Sequence, residues 1–312
     1  VTLCVALTTA DGLVMGADSM TVVRDSAMVK TYANANKVFD ILGLPIVVMT
    51  YGAGALGRRT IASLVDEWMQ QRPAFEKGPY TVEQVARDVG EFVFERHRAH
   101  REFLQRHAEE SQARALRAST DAERAAIELI EYNPEDWVTG LVIGGYQPKS
   151  VYPWLWTWEE PEGPGTGSGL QLARHHEGES GEHGPESGLN IRGDKHALDR
   201  LIKGYDRAFI DALREAGLLE TGERFEAIAT ELRWNVVFEG MPIQDAADYV
   251  RFLLQVGVGF ERFGEGTPKI GGELDIAIIT RHVVHWFDRK ALTKALAPRS
   301  MPGRIDSDPK GS

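Results

Sequence analysis

The sequence predicts an α+β fold, a four-layer α/β/β/α sandwich with two sheets face to face and helices outside. Three observations lead there. Residues 1–50 hold four short β-branched and apolar runs in close succession. A helical period then begins at Ile61, Leu64, Val65 and Trp68. Strand patterns return near 138–192, give way to helical ones, and return again at 273–287. The order is therefore strands, helices, strands, helices, strands.

Each element has a local signature. Residues 1–9 and 13–17 flank Asp11-Gly12, which reads as a hairpin turn. Residues 36–41 and 45–50 form a second strand pair around Gly43. Thr81 and Gln84 make a capping-box pattern opening a helix that runs, with interruptions, to about Glu131. Its middle, 95–117, mixes Arg and His with Glu, which fits a solvated face or a protruding extension better than a basic patch. Strands are expected at 138–146, 151–158, 169–173 and 189–192, with a Gly/Glu-rich insertion loop at 159–188. Helices at 196–216, 221–238 and 243–257 precede two closing strands at 273–280 and 283–287. Residues 1–290 are read as a single domain and 291–312 as a flexible C-terminal tail.

Composition narrows the function. The chain has 312 residues, 43% of them apolar, enough for a large core, and a formal net charge of −11. That charge argues against a nucleic-acid partner, which needs a basic stripe. The longest apolar stretch, 44–56, is too short and too broken by glycine to span a membrane. The opening shows no basic segment of a secretory signal, and Cys4 stands alone, so a cytoplasmic protein without internal disulfides is expected. No cofactor or metal is expected. His175, His176 and His183 fit no ligand spacing, and Trp154, Trp156 and Trp158 suit sheet or interface packing. Strand alternation puts Cys4 on the same face as Thr2, either as a thiol near a site or as an inert core residue.

The chemistry turns on Thr2. A threonine hydroxyl needs a base to become nucleophilic. A threonine that leads its chain carries that base itself, because an α-amine has a pKa of roughly 7.7–8.0 and is partly neutral near pH 7. Taken alone, Thr2 is equally readable as an ordinary strand residue. Asp18 is likewise readable as a hairpin end, Lys37 as a solvated strand residue, and the Gly-Ala run after Tyr51 as tight packing before a helix.

Together these residues resemble the proteasome β-subunits, members of the N-terminal-nucleophile (Ntn) hydrolases. Thr2-Leu3-Cys4-Val5-Ala6 and the hairpin ending Gly16-Ala17-Asp18-Ser19 resemble the family's opening strands. Asn36-Lys37-Val38-Phe39-Asp40-Ile41 resembles the strand carrying its lysine, after a longer loop than usual. Met49-Thr50-Tyr51-Gly52-Ala53-Gly54-Ala55 resembles its oxyanion turn, and Ile270-Gly271-Gly272-Glu273 its late Gly-Gly strand. The resemblance covers the first sixty residues well and continues weakly to the end.

What it implies is an Ntn-hydrolase fold and a threonine peptidase or amidase acting on a peptide or amide substrate as a homo-oligomer. Thr2 is then the nucleophile, Lys37 the cation that favours its alkoxide, Asp18 the group that holds Lys37, and Ala53 or Gly54 the oxyanion donor. Asp194 stands where the family has a serine. Three departures accompany it: Val1 acylates the Thr2 amine, Asp194 replaces that serine, and Thr267 and Ile270 occupy the positions of a late Asp and Ser. They support an alternative, a catalytically silent binding or assembly module. Amide transfer to an amine in place of water is a third reading.

Overall fold

A computed structural model describes residues 2–25, 28–41, 43–57, 59–71, 79–127, 129–130, 132–133, 137–159, 171–175, 187–219, 225, 229 and 235–291. The first strands are β1 (Leu3–Thr9), β2 (Gly12–Ala17), β3 (Thr21–Asp25), β4 (Met28–Tyr32), β5 (Val38–Asp40), β6 (Ile46–Gly52), β7 (Ala55–Leu56) and β8 (Arg59–Thr60). Helices α1 (Ile61–Gln71), α2 (Val82–Arg117) and α3 (Asp121–Ala125) follow, then β9 (Thr139–Gly145), β10 (Trp154–Glu159), β11 (Gln171–His175) and β12 (Gly188–Gly193). The last elements are α4 (His196–Lys203), α5 (Arg207–Glu215), α6 (Ile243–Phe263), β13 (Asp275–Ile279) and β14 (Val284–Asp288).

The chain is a mixed α/β structure built on two five-stranded sheets. One has the order β12-β1-β2-β13-β14 and the other β11-β10-β9-β6-β5, and every recorded pairing is antiparallel. Strand β1 is buried along its whole length because its two faces serve different apolar clusters. Cys4 and Ala6 join Leu13, Met15, Val47, Met49 and Val142 in a cluster shared by both sheets. Leu3, Val5 and Leu7 turn the other way, onto Val250, Leu253 and Leu254 of α6 and Leu198 of α4. On the far side of the second sheet, Val48, Ile143, Trp156 and Trp158 pack with α1 and α2 through Leu64, Trp68, Val89 and Phe94.

Local chemistry sets the boundaries. The Thr81 hydroxyl accepts from the Gln84 N–H and the Gln84 side chain accepts from the Thr81 N–H, closing the capping box that opens α2. That helix ends at Arg117, short of the expected Glu131, and a second capping box at Thr120 and Glu123 starts α3. The helix expected over 196–216 is two helices. Gly204 adopts φ 83° at the end of α4, and the Asp206 carboxylate then caps α5 through the Phe209 N–H. Helix α6 runs to Phe263, past the expected 257. The extended loop expected between Asp18 and Lys37 contains a hairpin, β3 paired with β4.

Residues 160–170, 176–186 and 292–312 lie outside the described residues, and with them most of the insertion, the tail, His176 and His183. Most of the helix expected over 221–238 lies outside them too. Among the described residues no helix is long and apolar enough to cross a membrane.

Candidate active site

Asp18 and Lys37 come from different sheets and meet beside the peptide that joins Thr2 to Leu3. Thr2 precedes β1 and is buried, 3% exposed. Its carbonyl oxygen accepts from the Asp194 N–H at 2.8 Å. That approach depends on Gly193, which has φ 83° and whose added Cβ would stand 1.8 Å from the Thr2 oxygen. Asp194 in turn accepts from the His196 N–H at 3.4 Å, at the start of α4.

On the other side of β1, Asp18 follows β2 and faces the same peptide. Asp18 Oδ1 accepts from the Leu3 N–H at 3.0 Å and from Lys37 Nζ at 2.9 Å. Its Oδ2 accepts from the Met20 N–H and the Gly271 N–H, each at 3.0 Å. The carboxylate is thus out of water, with both oxygens taken by donors. Lys37 is 5% exposed, and its backbone is tied to β6 by the Thr50 N–H donating to the Lys37 carbonyl at 2.9 Å. A lysine of the second sheet therefore reaches the first strand of the other through one oxygen atom.

Cys4 makes a second link between the sheets, its Sγ donating to the Thr50 carbonyl at 3.4 Å. Burial pushes the thiol well above its ordinary range, with the Lys37 charge opposing. A thiol that stays protonated is a poor nucleophile, so Cys4 acts here as core.

In the turn expected to supply an oxyanion donor, Ala53 and Gly54 are placed differently. The Ala53 N–H is already donated to the Val138 carbonyl at 2.8 Å, so Ala53 is committed to the sheet edge. Gly52, at φ 86°, allows that contact, since a Cβ there would stand 1.9 Å from the same oxygen. Gly54 is exposed and lies beside Thr21 at the base of the β3–β4 hairpin, an added Cβ standing 2.9 Å from Thr21 Oγ1.

Comparison with known proteins adds little. No family model and no curated protein matches the sequence. Among solved structures the chain is similar to Anbu (ancestral beta-subunit) from Yersinia bercovieri. The match covers 93% of this chain and 88% of that one at 14% identity, with a TM-score of 0.46. A likeness at that depth carries no argument about the site.

Sequence reasoning passed over a second set of buried charges next to the first. Ser19 Oγ donates to the Glu273 carbonyl and accepts from Lys290 Nζ at 2.9 Å. The same ammonium is ion-paired with Asp275, and the Lys290 N–H donates to Asp275 Oδ1 at 3.1 Å. Ser19, Asp275 and Lys290 are all nearly sealed from water. Burial pushes the Lys290 ammonium down to about 8, with like-charge repulsion from Lys37 adding to the effect and Asp18 and Glu273 opposing it. The signal was present in the sequence, since Asp275 opens an otherwise apolar strand, and a charge in such a place needs a partner. Thr267 is exposed, and Ile270 is buried in the apolar cluster under α6.

Proposed function

We propose that this chain is a proteasome-β-like threonine hydrolase of the Ntn type, cleaving amide or peptide bonds, and that its three apolar clusters separate the four layers of that fold. One observation carries the reading: Asp18 Oδ1 holds both the Lys37 ammonium and the Leu3 N–H, so a buried cation sits against the peptide joining Thr2 to β1. In this reading Thr2 Oγ attacks the substrate carbonyl and passes its proton to the Thr2 α-amine. The amine later returns that proton to the leaving nitrogen. Lys37 lowers the energy of the alkoxide, and Asp18 fixes Lys37. The Gly54 N–H takes the oxyanion role in place of Ala53, and such a donor is typically worth roughly 3–4 kcal/mol to the transition state. Asp194 holds the backbone of Thr2 through its N–H. The chemistry requires a free amine, so the bond between Val1 and Thr2 must be cut first. Self-association belongs to the same proposal and draws on Phe252, Phe260 and Phe263, exposed along α6.

The test is intact mass together with labelling by a peptidyl epoxyketone, whose two electrophilic carbons capture the hydroxyl and the amine of a leading threonine. A chain beginning at Thr2 and labelled there supports the proposal, and Lys37→Ala should abolish the labelling. A chain with Thr2 first that resists the probe refutes it. A catalytically silent assembly module is then the better reading, and the burial of Ile270 where polar support is needed favours that alternative.

A further inference from the structure

We propose that Lys290 is a positioning residue of this site: with Asp275 and Ser19 it clamps the turn that presents Asp18, and it sets a second positive charge against the Lys37–Asp18 pair. The inference rests on the hydrolase reading for its catalytic consequence only. Its physical content, the clamp of Lys290 and Asp275 on Ser19 in the turn after β2, stands on geometry.

The connections run in both directions from Ser19. Its backbone N–H donates to the Gly271 carbonyl at 2.9 Å, while the Gly271 N–H donates to Asp18 Oδ2. Its side chain lies between Lys290 Nζ and the Glu273 carbonyl. Strand register places Asp275 opposite Ala17, the residue before Asp18, across the β2–β13 ladder. Gly272, at φ 78°, lets the loop pass the Ala33 carbonyl, which an added Cβ would approach to 2.2 Å. Removing Lys290 therefore leaves Asp275 buried without its partner and loosens the segment that holds Asp18 Oδ2.

The charged and titratable groups around Lys290 are Asp275 from β13, Asp18 from the turn after β2, Lys37 from the segment before β5, and Glu273. Its neighbour Arg289 is turned elsewhere, over the Trp286 ring and towards Asp40. In the hydrolase reading, a positive charge added on this side of the Lys37–Asp18 pair makes the Thr2 amine easier to deprotonate. A residue that only fills space has no such effect.

The experiment uses the full chain released with Thr2 first from a cleavable fusion. The rate of epoxyketone labelling is followed against pH, and Lys290 Nζ is titrated by NMR. Lys290→Met is expected to slow labelling by roughly tenfold or more, because small misplacements in such sites are costly. It should also move the acidic limb of the profile to higher pH, whereas Lys290→Arg keeps the limb in place whatever its absolute rate. In the titration Lys290 should change charge near 8 and move upward in Lys37→Met. A Lys290→Met profile that superimposes on the wild type overturns the proposal, as does a Lys290 titration indifferent to Lys37. If the chain with Thr2 first is not labelled, the hydrolase reading fails, and the titration alone decides whether the lysines are coupled.

Discussion

The site end of the sheets and the far half of α2 are both rich in charge, and they use it in opposite ways. At the site, Lys37–Asp18 and Lys290–Asp275 are sealed from water and every carboxylate oxygen has a donor. On α2 the first turns bury Val82, Val85, Val89 and Val93, but beyond His97 the only buried residues are Ala108 and Ser111. The charges there stay in solvent, as Glu83–Arg87 does at the other end of the same helix, where both side chains are about half exposed. Buried pairs are costly to form and costly to break singly, while exposed pairs are worth little. Charge held in a fixed place is therefore found where the fold has already borne the cost of desolvating it.

The sharpest way to break that contrast is to remove one buried partner. Lys37→Met leaves Asp18 buried beside backbone donors with no cation. It should cost about 3–5 kcal/mol, read as a lower urea midpoint, with loss of any Thr2-dependent activity. A variant as stable as wild type would mean that Lys37 is less buried in solution than its 5% exposure implies.

Gly193→Ala comes next and tests the other side of β1. The added carbon would meet the Thr2 carbonyl oxygen, and φ 83° is strained for any side chain. A loss of about 1–3 kcal/mol is expected from the backbone conformation alone. The same change should withdraw the Asp194 N–H from Thr2, so labelling of Thr2 should fall more steeply than stability does. Equal losses in both would make Gly193 a purely structural residue.

The second pair gives a pH signature of similar or smaller size. Lys290 has a folded-state pKa pushed down to about 8 from 10.5, so the unfolded chain binds its proton more tightly. The penalty for burying the charge is fully present below about pH 8. It is relieved as pH rises from there towards 10.5, so this residue's contribution to stability increases with pH over that window, by at most about 3 kcal/mol. Urea midpoints of wild type and Lys290→Met at pH 7.5 and 10 would show it, the wild type gaining more with pH than the variant.

Legibility in the sequence followed the range of the interaction. The β1–β2 hairpin, the Thr81 capping box and the apolar stripe of α1 depend on residues a few positions apart, and each reads directly from its pattern. The pairing of Asp18 with Lys37 was legible only through resemblance, because no local rule brings the two sheets together. The β3–β4 hairpin was missed although Thr21, Val22 and Val23 are all β-branched, since an expected loop was read in its place. Lys290 was missed for a topological reason: its contact with Ser19 spans 271 positions and exists only once β13 lies against β2. The choice between Ala53 and Gly54 stayed open because sequence shows a turn's glycines but not which N–H the neighbouring strand takes, here that of Ala53.

The smallest expected effect is on α2, and it sharpens the comparison from the weak side. Glu83 and Arg87 form an i,i+4 pair at 3.0 Å with side chains 47% and 51% exposed. Arg87→Gln should cost no more than about 0.5 kcal/mol at low salt. Two effects reduce it further. Arg87 stands near the positive end of the helix dipole, so removing its charge relieves a small repulsion, while Glu83 keeps its own favourable place in the first turn. At 1 M salt, where the Debye length is about 3 Å, the difference should vanish into the error of the urea midpoint. A loss above about 1 kcal/mol that survives high salt would show that Arg87 contributes through packing of its aliphatic stem, and exposed charge on α2 would then differ less from buried charge at the site than their solvation implies.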